Sequence, residues 1–185
     1  MKKTILLFLM CISGSLLGYE ERSNDIPLPS EESFINGQFL YVQNQELDIQ
    51  IDEDILASPA STVEQKSNAR HSLMFNYWFS MSQQKPERVL CLSQQVINEE
   101  NVCKNANYFL AELSLKGMYR DTATGRYFLG EATLPNHYQQ IPIDHDQATE
   151  YYQNYINESD NLNDRYNFIE DAYSKLNYIA NLPVD

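Results

Sequence analysis

Basic residues are scarce in this 185-residue chain, and their shortage excludes a class of partner. Lysine and arginine number 13 against 26 acidic residues, so the formal net charge is −13. A surface of this sign repels nucleic acid and anionic lipid and attracts cationic proteins. We therefore expect no nucleic-acid partner and, if the partner is charged, a basic protein. Solubility alone would also account for the acidity.

Motifs for catalysis and for cofactor binding are also missing. The sequence has no Gly-x-Ser-x-Gly elbow, no phosphate-binding loop, no His-Glu-x-x-His pair and no Asp-x-Asp-x-Asp-Gly calcium loop. The densest titratable group, Asp144-His145-Asp146, stands where a helix is expected to begin, which is typical of a helix cap. Acid pairs such as Glu99-Glu100 could serve glycoside cleavage, but a solvated acidic face is the simpler interpretation. We predict a non-enzymatic protein without a cofactor or a metal ion.

The N-terminus has the pattern of a secretory signal. Met1-Lys2-Lys3 is basic, residues 4–12 are apolar, and small residues follow. The apolar run is too short to cross a bilayer, so we predict a signal peptide over residues 1–18, a periplasmic or secreted location and no membrane span. Cys11 suggests a lipid anchor, but Met10 stands where a small residue is wanted, so a signal without lipid attachment is favoured. Without the two signal lysines the chain has 11 basic and 26 acidic residues, a net charge of −15.

Two of the three cysteines lie beyond the predicted signal. In an oxidising compartment, Cys91 and Cys103 are most simply explained as a disulfide. The bond would join two neighbouring predicted helices and contribute about 3 kcal/mol by the chain-entropy model. A metal pair or two free thiols are the alternatives. The metal pair is the weaker of them, because the three histidines are scattered along the chain.

Residues 19–58 are predicted to be an extended acidic segment with little order. Residues 39–42 are a short β-prone run, and Leu47, Ile49 and Ile51 alternate with polar residues, which is typical of a strand. A small hairpin fits this pattern, and so does an extended segment lying across the helices. The acidic residues that we expect to steer a basic partner by electrostatic attraction are Glu46, Asp48, Asp52, Glu53 and Asp54.

Residues 59–185 are predicted to form an α-helical domain. Apolar residues recur at helical spacing in five stretches. The second begins at Pro86, which suits the first turn of a helix, and the third ends at Gly117, which suits a left-handed C-terminal position. We predict a mainly α fold of antiparallel helix pairs, with an extended or small β segment at its N-terminal end.

One long interruption, residues 118–142, divides the helical pattern. Its glycines and prolines predict an ordered loop with at most one short strand or turn. Loops of this length in compact domains are often functional, and aromatic residues are enriched at protein contacts. The rings fit equally well folded back onto the core. The residues of this loop that we predict to contact a partner are Tyr119, Arg120, Tyr127, Phe128 and Tyr138.

Two sequence motifs flank the loop. The first is Ala106-x-Tyr108-x-Leu110-Ala111-x-Leu113-x-x-x-Gly117, and the second is Asp144-x-x-x-Ala148-x-x-Tyr151-Tyr152. Their order resembles the Sel-1-like repeat family, which is related to tetratricopeptide repeats. The family joins its two helices by a short loop, whereas about 25 residues intervene here, and only one copy of the repeat is convincing.

The resemblance implies a short solenoid of helix pairs that binds proteins rather than performing chemistry. Exported bacterial proteins similar to this include immunity proteins, which neutralise a toxin delivered into the periplasm. We therefore expect a periplasmic protein-binding module, most specifically an immunity-type inhibitor of a toxin or effector protein. An envelope adaptor or scaffold is the alternative, followed by a cell-wall hydrolase that uses paired carboxylates.

Overall fold

The computed structural model describes residues 45–80, 84–100, 103–159 and 168–183. These residues form six helices and three strands. They are α1 (residues 45–57), α2 (Val63–Phe79), α3 (Pro86–Glu99), α4 (Lys104–Lys116), β1 (Met118–Asp121), β2 (Tyr127–Leu129), β3 (His137–Ile141), α5 (His145–Asn157) and α6 (Ile169–Ala180). The prediction of a mainly α fold is confirmed. The predictions for residues 1–44, which include the signal peptide, the Cys11 anchor and the β-prone run, lie outside the described residues.

Local sequence signals explain where the helices begin. Thr62 and Gln65 form a reciprocal capping box at the start of α2, with hydrogen bonds of 3.1 and 2.8 Å. Pro86 occupies the first turn of α3, where its missing N–H costs nothing. Asp144 caps α5 by accepting a hydrogen bond from the backbone N–H of Gln147 at 2.9 Å. The Pro86 and Asp144 starts agree with the sequence predictions.

Consecutive helices pack as antiparallel hairpins. Ser114 near the end of α4 hydrogen-bonds Gln147 near the start of α5, while Asn107 near the start of α4 reaches Glu158 just past the end of α5. The same reversal relates α2 and α3. This is the packing of helical hairpins joined in sequence, and it agrees with the predicted antiparallel pairs. None of the helices in the described ranges is both long enough and apolar enough to span a bilayer.

An aromatic cluster forms the centre of the core. Phe109 of α4 is fully buried, and its ring centroid lies 5.0 Å from that of Phe75, 5.7 Å from Trp78 and 5.6 Å from Tyr108. Tyr108 stacks on Phe168 at 4.5 Å, which connects the last helix to the core. Aromatic contacts of this kind contribute about 0.5–1.5 kcal/mol each beyond the area that they bury.

Both alternatives predicted for residues 47–51, a hairpin strand and an extended segment with little order, are wrong, because these residues belong to the helix α1. Ile49 is only 5 % exposed, whereas Leu47 and Ile51 are 58 % and 47 % exposed. Residues two apart on a helix point about 200° apart, so apolar residues on two opposite sides of a helix reproduce the alternation of a strand. The small β element of this fold lies further along the chain, between α4 and α5.

The predicted disulfide is not formed, because Cys91 and Cys103 are both free thiols. Cys91 is exposed on α3, while the Cys103 sulfur lies 3.7 Å from the carbonyl oxygen of Val96 and 3.2 Å from that of Glu100. Cys91 and Val96 are five residues apart, a helical rise of about 7.5 Å and a rotation of about 140°. The two sulfurs therefore face different directions. Burial, followed by the nearby Glu158 and Glu100 carboxylates, raises the pKa of the Cys103 thiol.

The interruption between α4 and α5 is a three-stranded antiparallel sheet with strand order β2-β1-β3, where one short strand at most was predicted. Gly117 ends α4 at φ +74°, as its position in the sequence predicts. An added Cβ there would lie 3.0 Å from the carbonyl oxygen of Gly130, so only glycine fits. The Gln139 side chain donates to the carbonyl oxygens of Met118 and Gly130, both at 3.1 Å, and fixes the base of the sheet.

Candidate protein-binding site

All five aromatic and arginine residues that we predicted as contacts lie on the inserted sheet. Tyr119 is opposite Phe128, and Arg120 is opposite both Tyr127 and Tyr138. Directly opposed residues of antiparallel strands share a face, and successive residues of a strand point to opposite faces. The fold therefore brings the five residues together in one sheet but divides them between its two faces.

The first face carries a stack of three rings. Tyr119 is central, with its ring centroid 5.5 Å from that of Phe128 and 4.6 Å from that of His137, at interplanar angles of 24° and 23°. Phe128 is 40 % exposed, so the end of the stack is open to solvent. The stack restricts the rotation of each ring, so little side-chain entropy remains to be lost on binding.

His137 is the member of this stack that was not predicted from the sequence. It lies opposite Asp121 in β3, two residues from Gln139, and reaches the Tyr119 ring diagonally across the two strands. Such diagonal neighbours are within reach of aromatic side chains, but they can be identified only once the register of the two strands is known. The sequence alone holds no signal that pairs His137 with Tyr119.

The side chains on the second face pack mainly against other parts of the protein. The Arg120 guanidinium lies 5.7 Å from the centre of the Tyr127 ring, and Tyr127 and Leu129 pack partly against the helical core. Tyr138 is different, because it is 64 % exposed. On this face only Tyr138 offers a large, accessible aromatic surface.

An open groove of ≈ 410 Å³ runs beside β2. It is lined by Gln84, just before α3, by Pro86 at the start of α3, by Tyr119 of β1 and by residues 126–129, so it also extends over the face of the sheet that carries the Tyr119 ring. Arg126 is exposed where β2 begins. The groove thus combines an aromatic residue of the first face, Phe128, with an accessible positive charge.

Glu53, one of the acidic residues predicted to steer a partner, holds the helices together. Its carboxylate accepts two hydrogen bonds from the Arg88 guanidinium, at 2.9 and 2.6 Å, and one from the Tyr77 hydroxyl at 3.0 Å. Burial favours a higher pKa for Glu53, but the hydrogen bonds from Arg88 and Tyr77 outweigh it, so its pKa is lowered. Burial and the bond to Glu53 raise the pKa of Tyr77 to about 12.

The other acidic residues of α1 are more accessible. Glu46, Asp48 and Asp54 are exposed, and Asp54 accepts a hydrogen bond from the Gln50 side chain at 2.9 Å. Asp52 is half-buried, and burial raises its pKa, with Asp48 and Glu53 adding to the effect against a hydrogen bond from Ser72. The three exposed carboxylates form the part of α1 that attracts cations.

Because of the Glu53 ion pair, the free energy of unfolding should depend on pH in the acid range. Because the pKa of Glu53 is lower in the folded protein, its contribution is complete above the unfolded pKa of about 4.5 and is lost as the pH falls through the folded pKa. We expect Arg88→Met to reduce the free energy of unfolding near pH 7 by no more than about 1 kcal/mol, since the pair is partly exposed. The reduction should shrink as the pH falls.

Urea unfolding across the acid range measures this difference, with Arg126→Met as the matched control. Arg126 makes no ion pair in the described part of the chain, so its variant should follow the wild-type profile at every pH. A constant offset between Arg88→Met and the wild type over the whole range would contradict the assignment.

Two polar clusters were missed by the sequence analysis, and the first closes the hairpin of α2 and α3. Glu100 accepts hydrogen bonds from Ser67 at 2.6 Å and from Arg70 at 3.0 Å, and lies 3.1 Å from His71. Arg70 also binds Glu99. Burial works against ionisation of Glu100, but these hydrogen bonds prevail and lower its pKa. The acid pair considered above for hydrolysis is therefore occupied by an arginine.

The second cluster lies inside, between α4 and α5. Glu112 is only 3 % exposed. It accepts a hydrogen bond from the Tyr152 hydroxyl and forms an ion pair with Lys116. Tyr108 donates to Asp171 of α6 at 2.8 Å. Burial and the neighbouring carboxylates raise the pKa of both tyrosines, so their hydroxyls remain donors. The cluster fixes how three helices pack.

No family model, curated protein or solved structure matches the chain. The resemblance to Sel-1-like repeats therefore stays a prediction. Within the described ranges, no group of three or more histidine, cysteine, aspartate or glutamate side chains is placed to hold a metal ion.

Proposed function

We propose that this protein is a non-enzymatic, periplasmic protein-binding module, and specifically an immunity-type inhibitor that binds and neutralises a toxin or effector protein. The observation that carries the proposal is the stack of Tyr119, Phe128 and His137 on the inserted sheet. Ordered, partly exposed aromatic rings are the side chains that most often dominate binding energy at protein interfaces. An envelope adaptor would use the same surface to recruit a different partner.

Charge supports a basic partner. The chain has a net charge of −13, and Glu46, Asp48 and Asp54 are exposed on α1. A field of this sign accelerates the encounter with a cationic protein at low salt, and the acceleration weakens as salt is added. A toxin with an excess of lysine and arginine would be attracted by this field.

The state of the carboxylates favours binding over hydrolysis. Glycoside cleavage needs one carboxyl group to donate a proton and a second to act as base or nucleophile. Glu100 is instead held by Ser67 and Arg70, and Glu53 by Arg88. These pairs connect helices to one another.

Phe128→Ala is the substitution that tests the proposed surface. Loss of the exposed aromatic ring at the open end of the stack is expected to weaken partner binding by about 2 kcal/mol or more, roughly 30-fold. Tyr138→Ala changes the opposite face of the sheet and should weaken binding less. Val63→Ala is the control, because Val63 is an exposed apolar residue of α2 that makes no part of the sheet.

The measurement begins with capture of the partner by the full chain at low salt, from the envelope of its own cells and from secreted proteins of their neighbours. Calorimetry with the purified partner then compares the three variants. Protection of cells against the purified partner would separate an inhibitor from an adaptor. Capture of no protein, or unchanged affinity of Phe128→Ala, would falsify the proposal.

A further inference from the structure

We infer that the free edge of β2 is the docking site for an extended segment of the partner, which binds as a fourth strand of the sheet. The inference rests on the proposed function, because it specifies how the proposed partner is held. It is carried by the direction of the backbone groups of β2, by the groove beside that strand and by the charge at its end.

The hydrogen bonds between β1 and β2 determine which backbone groups are free. The Asp121 N–H donates to the Arg126 carbonyl oxygen at 2.9 Å, and the Gly130 N–H donates to the Gly117 carbonyl oxygen at 3.0 Å. Bonded pairs alternate along an antiparallel ladder, so the remaining bonded position of β2 is Phe128.

It follows that the backbone N–H and C=O groups of Tyr127 and Leu129 point away from β1. No hydrogen bond engages these four groups within the described parts of the chain. Four unpaired groups in a row along an edge are a template for a further strand.

The opposite edge of the sheet is partly occupied by the chain itself. On β3, the N–H of His137 is already bonded to the Leu134 carbonyl oxygen at 2.9 Å. The register between β1 and β3 is also interrupted between Met118 and Tyr119, whereas the pairing of β2 is regular. Self-capping and bulges are ways in which proteins prevent strand addition. Within the described ranges β2 shows neither protection, so the two edges are not equivalent.

The groove beside β2 provides the space for the added strand. It measures ≈ 410 Å³ and is open, with Gln84 and Pro86 facing the strand residues. An added strand lies about 4.8 Å from its neighbour. Phe128 borders the same groove, so side chains of the added strand would contact the aromatic stack.

The charge at the end of β2 specifies the chemistry of the occupant. Arg126 lines the groove, is exposed and has no carboxylate partner among the described residues, although acidic residues outnumber basic ones twofold. An unpaired guanidinium is well suited to bind a carboxylate through two hydrogen bonds. The occupant is therefore an extended segment with an acidic side chain beside Arg126 and an apolar one against Phe128. The overall basic charge of the partner would speed its encounter with this acidic protein. The single acidic residue would bind Arg126 and so fix the alignment of the added strand along β2.

A second copy of this chain is the competing occupant. Pairing two β2 edges would bring together two molecules that each carry a net charge of −13, which opposes association. A separate partner is favoured for this reason, and sedimentation of the full chain distinguishes the two cases.

Leu129→Pro tests the edge directly, with Leu129→Val as its matched control. Proline removes the outward N–H and leaves the bonds between β1 and β2 intact, as edge strands tolerate. The probe is a phage-displayed library of random peptides of about seven residues, selected against the full chain. We expect the selected peptides to bind the wild type and Leu129→Val alike, and to bind Leu129→Pro about tenfold or more weakly. They should carry an acidic residue, and Arg126→Gln should weaken them.

Amide exchange in the wild type gives a second readout that does not depend on how the proline variant folds. Bound peptide should slow exchange at Tyr127 and Leu129. Equal binding to Leu129→Pro, unchanged exchange at these two amides, or a dimer that Leu129→Pro abolishes would each overturn the inference. If a captured partner still binds Leu129→Pro, the edge site is contradicted but the proposed function is not. If no partner is captured, the proposed function is contradicted, and the peptide selection still tests the edge site.

Discussion

Phe109→Ala is expected to lower the free energy of unfolding by about 3–5 kcal/mol, the typical cost of removing a buried phenylalanine side chain. Phe109 is fully buried, and its ring contacts those of Phe75, Trp78 and Tyr108 from two helices. Alanine would leave a cavity in the centre of the helical core. The surrounding rings cannot close it without leaving their own contacts.

Phe79→Ala is the matched control, because the same atoms are removed at a position that is 47 % exposed. We expect it to cost about 1–2 kcal/mol, since much of the side chain already contacts water. Urea unfolding at fixed salt measures both losses, and unchanged m-values would show that the variants unfold from comparable compact states. Similar losses for Phe79→Ala and Phe109→Ala would mean that Phe109 is not the centre of the core.

The helices were largely predictable because their signals are local. Asp144 precedes the periodic pattern of α5 and caps it, and Gly117 ends α4 with the positive φ that its position predicts, +74°, although its ψ of 165° is extended rather than left-handed helical. Each signal depends on residues within about one turn of the helix end, so a single sequence is enough to recognise it. The antiparallel pairing of α2 with α3 then follows from their short connection, whereas α4 and α5 pair in the same way although the sheet is inserted between them.

Helix α1 was not predictable in the same way. Ile49 contacts the core, while Leu47 and Ile51 lie on the exposed side, so the helix has apolar residues on both sides. Periodicity distinguishes a helix from a strand only when one side is polar. Two long-range contacts hold α1 in place, the burial of Ile49 in the core and the bond of Glu53 to Arg88, 35 positions away, and no local pattern indicates either of them.

The candidate site was predicted in composition but not in geometry. The five contact residues were chosen for their chemistry within a loop, and the fold places all of them on one sheet. Strands of three to five residues are too short for a periodicity signal. The division between two faces, the inclusion of His137 and the free edge of β2 all depend on register, which the sequence does not reveal. The predicted Cys91–Cys103 disulfide was wrong for a similar reason. An oxidising compartment and an even number of cysteines do not indicate in which direction each sulfur points.

Glu112→Leu is expected to have the second large effect on stability, a loss of about 2–3 kcal/mol. The substitution leaves the fully buried Tyr152 hydroxyl without its acceptor, and the cost of an unpaired buried donor is larger than the net value of the hydrogen bond. Lys116 also loses its carboxylate, but it is 40 % exposed and can turn toward water. The loss should therefore come mainly from Tyr152.

Combining Glu112→Leu with Tyr152→Phe isolates this cause. The double variant has no unpaired polar atom at the contact, and buried polar pairs can often be replaced by apolar residues at little cost. We expect it to recover more than half of the loss of Glu112→Leu, so that the two substitutions are strongly non-additive in a double-mutant cycle. Additive losses would show instead that packing around residue 112 determines the cost. Because α4 and α5 are the helices between which the sheet is inserted, amide exchange in β1 should rise in Glu112→Leu and return toward wild type in the double variant.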